Sequence, residues 1–151
     1  MFRFTAVFVA ALALGVTAVA ANKPDEKPAV KVEIRRAEKE KAEGLTEATI
    51  EGTNEKVYLH KTAELTNADV ADAKVEGTDK NLEIRVTLTK AGGEKMRKIT
   101  EEHRNKPLAI VIDGKVISAP VVKAVIGENV AITGSFTKEE AERIAKGIKG
   151  K

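Results

Sequence analysis

Residues 106–148 read KPLAIVIDGKVISAPVVKAVIGENVAITGSFTKEEAERIAKGI. Leu108 to Ile112 is an apolar run of strand length. Asp113-Gly114 follows, a pair that tolerates positive φ and so closes a tight hairpin, and Lys115 to Ile117 returns as the partner strand. Ser118-Ala119-Pro120 interrupts that strand: Pro120 has no N–H to give to a ladder and marks an edge or a bulge. Val121 to Ile126 is expected to resume as a strand, Gly127-Glu128-Asn129 to turn the chain, and Val130 to Thr133 to run as another. Phe136 then precedes Thr137 as N-cap, with Glu140 at the third helical position. Ala141, Ile144, Ala145 and Ile148 form one apolar stripe, and Gly150 suits the helix end.

Upstream the same two periods alternate. Val32 and Ile34 face one way and Glu33 and Arg35 the other, a strand that fades into charge over residues 38–43, where EKEKAE also suits a helix. Lys56 to Leu59 reads as a strand with Val57 and Leu59 inward. In LTNADVADA, Thr66 as N-cap, Asp69 three residues later, and Leu65 with Val70 as a hydrophobic staple predict a short helix. Leu82, Ile84, Val86 and Leu88 alternate with Glu83, Arg85 and Thr87, a strand with one buried and one wet face. From Ala91 to Asn105 the period lengthens: Met96, Ile99 and His103 recur at helical spacing, and Pro107 stops the helix. The sum is α+β: a mixed, mostly antiparallel sheet of six or seven short strands with two or three helices packed on one face.

The chain has 151 residues, enough for one domain with a tail, and its 42% hydrophobic and 32% charged content supports a core under a charged surface. Met1 to Ala21 carries one charge, Arg3, and then an uncharged run from Phe4. Small residues at Ala18-Val19-Ala20, or at Val19-Ala20-Ala21, permit cleavage before Ala21 or Asn22. Residues 1–21 therefore read as a secretory signal, with retention as an uncleaved anchor the alternative. Residues 22–29, rich in charge and proline, read as a flexible linker, and 30–151 as the folded domain. Such a leader places the domain in the periplasm or outside the cell.

The absence of cysteine excludes disulfides, thiolate metal sites and cysteine nucleophiles. The net charge of +3 is interleaved along the chain and forms no basic stripe, so nucleic acid is not expected. Past the leader only Phe136 and Tyr58 are aromatic, too few for stacking platforms. His60 and His103 are the side chains able to exchange protons near neutral pH, yet neither has a visible catalytic partner or a metal-binding spacing. Ser118 and Ser135 sit in no nucleophile motif. Gly92-Gly93 reads as a loop rather than a phosphate cradle, and turn geometry accounts for Asp113. No catalytic residue, metal or cofactor is expected. The candidate contact surface is the broken edge Ile117, Ser118, Ala119, Pro120 and Val121, where an extended polypeptide can add by main-chain pairing.

The combination of LAIVIDGKVISAP with ITGSFTKEEA at this separation, preceded by EKVYLHKTAELTNADVADAKVE at 55–76, resembles the head subdomain of the first periplasmic loop of SecD, the preprotein translocase accessory subunit. The resemblance runs from Val30 to Gly150. It makes Asp113, Gly114, Gly134, Phe136 and Thr137 the family-motif positions. It implies a non-enzymatic domain that contacts exported polypeptide, or an envelope protein, beside translocase components. The base subdomain and membrane spans of a complete SecD do not appear in these residues. The alternative reading is a structural or regulatory envelope adaptor that reuses the head fold without an export role.

Overall fold

A computed structural model describes residues 30–149; the expected leader, the linker and Gly150 lie outside them. In chain order the elements are β1 (Val32–Glu38), β2 (Thr46–Thr49), β3 (Lys56–Leu59), β4 (Leu65–Thr66), a 3-10 turn (Asn67–Asp69), β5 (Val70–Thr78) and β6 (Asn81–Leu88). There follow α1 (Lys90–Glu102), β7 (Leu108–Ile112), β8 (Lys115–Ser118), β9 (Asn129–Thr133) and α2 (Lys138–Ile148). The α+β, mostly antiparallel class is as expected. Among the described residues the strands are nine rather than six or seven, and they divide into two sheets.

The first sheet has the order β2-β3-β1-β7-β8, with β4 also on β1, and the second is β5-β6-β9. The first curls until its ends meet. Ile50, one residue past β2, bridges Val116 of β8 in parallel, and Glu51 N donates to Val116 O at 2.8 Å. A small core of Ala37, Ile50, Val57, Leu59, Ala109, Val111 and Val116 fills the inside of the curl. The opposite faces of β1 and β7 present Val32, Ile34, Leu108, Ile110 and Ile112 to the main core. β7 therefore has no wet side, which is why its sequence lacks alternation. Across the main core lie Val70, Ala73, Ile84, Val86, Leu88, Val130 and Ile132 of the second sheet, with Met96 and Ile99 of α1 and the whole α2 stripe.

Two expected elements differ. Asp69 Oδ2 accepts from Thr66 N at 3.0 Å, as the cap requires, but the helix it should start is one 3-10 turn, and Val70 leaves it at φ −95, ψ 123. A cap is worth about 1 kcal/mol, and the pairing of β5 with β6 along almost its whole length outweighs it. The second difference is Val121 to Ile126, which forms no strand. Pro120 O accepts from Leu108 N, and Val122 exchanges hydrogen bonds with Asn105 N and Lys106 O, so the chain still runs beside β7. It then departs, and Ile126 N is held by Thr100 Oγ1 of α1.

Candidate functional site

The β7–β8 turn is built as its residues require: Asp113 has φ 49 and Gly114 φ 84. Asp113 also does more than turn. Its Oδ1 accepts from Lys31 N at 2.8 Å, its own N–H donates to Lys31 O at 2.9 Å, and Oδ2 lies 3.6 Å from Arg143 Nη1 of α2. The turn is thus tied to the start of β1 and to the last helix.

Between this hairpin and α2 lies a cleft of about 410 Å³. Ile112, Ile117, Phe136 and Ile144 supply its apolar surface; Glu51, Asp113, Lys115, Glu140 and Arg143 supply charge. Asp113, Ile117 and Phe136, singled out from the sequence for separate reasons, meet here. Gly134 and Thr137 shape the cleft from outside it. A Cβ on Gly134 would stand 2.8 Å from Ile117 Cγ2 and 2.9 Å from the Phe136 ring, so only glycine lets these two groups approach. Thr137 caps α2: its Oγ1 accepts from Glu140 N at 3.2 Å, and Glu140 Oε2 accepts from Thr137 N at 3.0 Å. The main-chain and hydroxyl hydrogen bonds from Thr137 hold the Glu140 carboxyl below the usual carboxylate range. A second depression of about 310 Å³, bordered by residues 79–83 and 133–136, lies on the far side of Ser135 and Phe136.

The broken edge continues from this cleft. Val116 is covered by Ile50 and Glu51. Beyond it Ile117, Ser118, Ala119 and Val121 are half-buried and Pro120 is exposed. The N–H groups of Ala119 and Val121, two residues apart, have no backbone partner among the described residues. Val125, a few residues on, is the one exposed large apolar residue among the described residues, at 38%. Ser118 Oγ is buried without a hydrogen-bond partner among the described residues.

The histidines sit elsewhere. His103, 4% exposed at the C-cap of α1, has Nε2 at 3.0 Å from Ala37 O and 3.1 Å from Pro107 O. Carbonyls only accept, so this nitrogen carries the proton and ties the end of β1 to the start of β7. His60 meets the His103 ring edge-on, with Nε2 3.5 Å from Glu38 Oε1. Burial raises the pKa of Glu38, but the Lys106 and His60 hydrogen bonds outweigh it and hold the carboxyl low. Among the described residues no group of three His, Asp or Glu converges as a metal site would need. Gly92 and Gly93 stand in the first turn of α1 rather than in a loop. A Cβ on Gly92 would meet Asp69 O at 2.6 Å, and one on Gly93 would strike Glu128, so these glycines allow close packing beside acids.

Asn67 escaped the sequence reading. Its Oδ1 accepts from Val32 N at 2.9 Å, while Nδ2 donates to Val30 O at 2.9 Å and to Ile148 O at 3.3 Å. The one sequence signal for it was its place just inside the Thr66–Asp69 cap. Lys115, Arg143 and Glu51 of the cleft carried no signal at all, because only the curl of the first sheet brings residue 51 to the hairpin.

Residues 44–150 match the family model described as SecDF, P1 head subdomain. The chain is 39% identical over 97 residues to protein translocase subunit SecD of Endomicrobium trichonymphae, covering 62% of this chain and 20% of that protein. It is 40% identical over 83 residues to protein translocase subunit SecDF of Thermus thermophilus, covering 54% of this chain and 11% of that one. Among solved structures it is similar to SecDF in its super-membrane-facing form, with TM-score 0.64 and 27% identity over 80% of this chain and 18% of the other. It is also similar to a structure described as a membrane component SecDF that enhances protein export, with TM-score 0.63 and 26% identity over 80% of this chain and 62% of the other. The chain thus spans a fifth or less of the two curated relatives.

Proposed function

The chain belongs to the SecDF P1 head subdomain family, and from that premise we propose that it is a non-enzymatic domain that contacts extended polypeptide on the outer side of the membrane during protein export. The observation that supports this most is the spacing of the Ala119 and Val121 N–H groups. They have no backbone partner among the described residues, belong to a segment running beside β7, and follow Ile117, which lines the cleft. Alternate main-chain donors along one edge are what an added strand uses, and a neighbouring pocket takes its side chain. Ile117, Phe136 and Ile144 would receive an apolar side chain, with the charges of Lys115, Glu140 and Arg143 around them. Periplasmic or extracellular placement follows from the leader reading of residues 1–21. Among the described residues no helix is long and apolar enough to cross a membrane.

Photo-crosslinking to an unfolded client peptide tests the reading. Labels concentrated at 115–123 and around Phe136 support it, and labels spread evenly over the surface refute it. Val121→Pro removes one free donor without touching an internal hydrogen bond, so it is expected to lower capture with little change in melting temperature. The second reading, an envelope adaptor with a fixed partner, is favoured if pull-down returns one stoichiometric protein and the same variants leave export unaffected.

A further inference from the structure

β5 is the outermost strand of the second sheet. β6 occupies one side, and on the other no main-chain group from Ala71 to Thr78 bonds to another segment of the described chain. An unpaired strand of this length is an invitation to pairing that proteins ordinarily blunt with charge. Here the charges are arranged so that they blunt it against most strands but not against itself. Lys74 and Glu76 lie on one face of β5, 2.6 Å apart, with Arg85 of β6 2.9 Å from Glu76.

We propose that this edge is a homodimer interface, in which a second copy of the chain adds its own β5 antiparallel about Val75. A two-fold axis there sets Lys74 opposite Glu76 of the second copy, and Glu76 opposite its Lys74. Directly opposed unlike charges stabilise an antiparallel pair, and like charges oppose it. The axis is selected by the same residues. Centring on Lys74 sets lysine against lysine and Asp72 against Glu76, both repulsive. Centring on Ala73 also sets unlike charges opposite, Lys74 against Asp72, but Asp72 is already held by Lys149 at 2.8 Å and the strand is irregular between Val70 and Asp72, while Glu76 is left facing Val70. At the Val75 axis, Val75, only partly buried against the main core, gains cover from its own copy. Asp72, held by Lys149 at 2.8 Å, guards the strand beyond the paired centre. A strand without an acid and a base two residues apart offers Lys74 and Glu76 no unlike charges across the pair, so the occupant the charges select is a second copy.

The full chain, purified as its host delivers it, is followed by sedimentation velocity from about 1 μM to 1 mM, the range where a weak edge contact is read. Wild type is expected to pass from monomer to dimer. Lys74→Glu alone and Glu76→Lys alone each set like charges opposite one another at both symmetric positions and weaken the dimer about tenfold. The double variant Lys74→Glu/Glu76→Lys restores unlike pairs and the wild-type association. Melting temperatures taken alongside show that each variant is folded. A chain monomeric throughout the range overturns the proposal. So does self-association indifferent to both swaps, which assigns the contact to another surface.

Discussion

Asn67→Ala removes one side chain that holds three separate segments together. Asn67 lies in the 3-10 turn, and its amide closes onto Val32 N, Val30 O and Ile148 O. Those residues are 4%, 1% and 0% exposed, so water does not replace what is lost. A buried backbone group left without its partner costs about 1–3 kcal/mol. The Val32 donor is lost at full cost. Carbonyl acceptors with a second lone pair cost less, the longer Ile148 contact least. The sum is about 3 kcal/mol, a large part of the ~5–15 kcal/mol that holds a domain folded. For a domain of this size the melting temperature is expected to fall by roughly 10 °C. The assay is urea denaturation followed by far-ultraviolet circular dichroism, with thermal melting beside it. Asp72→Asn, which deletes an exposed ion pair to Lys149, serves as control and should leave the denaturation midpoint essentially unchanged. A fall below about 1 kcal/mol for Asn67→Ala with an unchanged denaturant slope would refute the clip, because three buried hydrogen bonds cannot be lost that cheaply.

Gly134→Ala forces Ile117 or the Phe136 ring to move a few tenths of an ångström or more; it should cost about 1–2 kcal/mol and reduce peptide capture by narrowing the cleft, and unchanged capture would detach Gly134 from the site. Ile84→Ala, at a fully buried position in the main core, should cost about 2–5 kcal/mol in equilibrium unfolding. Glu33 gives the pH dependence: burial raises its pKa, but hydrogen bonds and charge from Lys31 and Arg35 outweigh it and leave the folded value below 4.5. A depressed folded value means that the carboxylate stabilises the fold above its unfolded pKa and that this contribution is lost as pH falls through the folded value. Denaturation midpoints should therefore drop below about pH 4.5, and Glu33→Gln should flatten that slope; an equally steep slope in the variant would assign it to other carboxylates.

The parts of this fold legible in the sequence are those where one local pattern decides. The Asp113-Gly114 hairpin is written in positive-φ residues, α2 in a cap plus a stripe, and β6 in clean alternation, and each forms where expected. The parts that were not legible depend on partners far along the chain. β5 carries a helix-start signal at its head and becomes a strand because β6 pairs with it. Val121 to Ile126 has strand composition but no free ladder to join once Val122 is bonded to residues 105 and 106. Asn67 reads as a turn residue, since nothing local announces that Val30 and Ile148 will arrive beside it. The site divides the same way: Asp113, Ile117 and Phe136 were visible as the turn, the strand before the break and the residue before the N-cap, while Glu51 and Arg143 needed the curl of the first sheet and the docking of α2.

The edges of the two sheets suggest why contact with polypeptide by this route would be brief. At Val116 the edge is closed by Glu51, and Pro120 cannot donate, so the run available for pairing is reduced to the N–H groups of Ala119 and Val121. Two main-chain hydrogen bonds contribute about 1 kcal/mol each, and one apolar side chain settling in the cleft about 2 kcal/mol. That gives roughly −4 kcal/mol before ordering costs, a dissociation constant near 1 mM or weaker. An uninterrupted edge would hold a strand far longer and would also recruit other edges. On the proposed function, a chain being moved across a membrane has to be released as often as it is caught, and an edge broken by a proline would supply weak, short and sequence-tolerant contact of that kind.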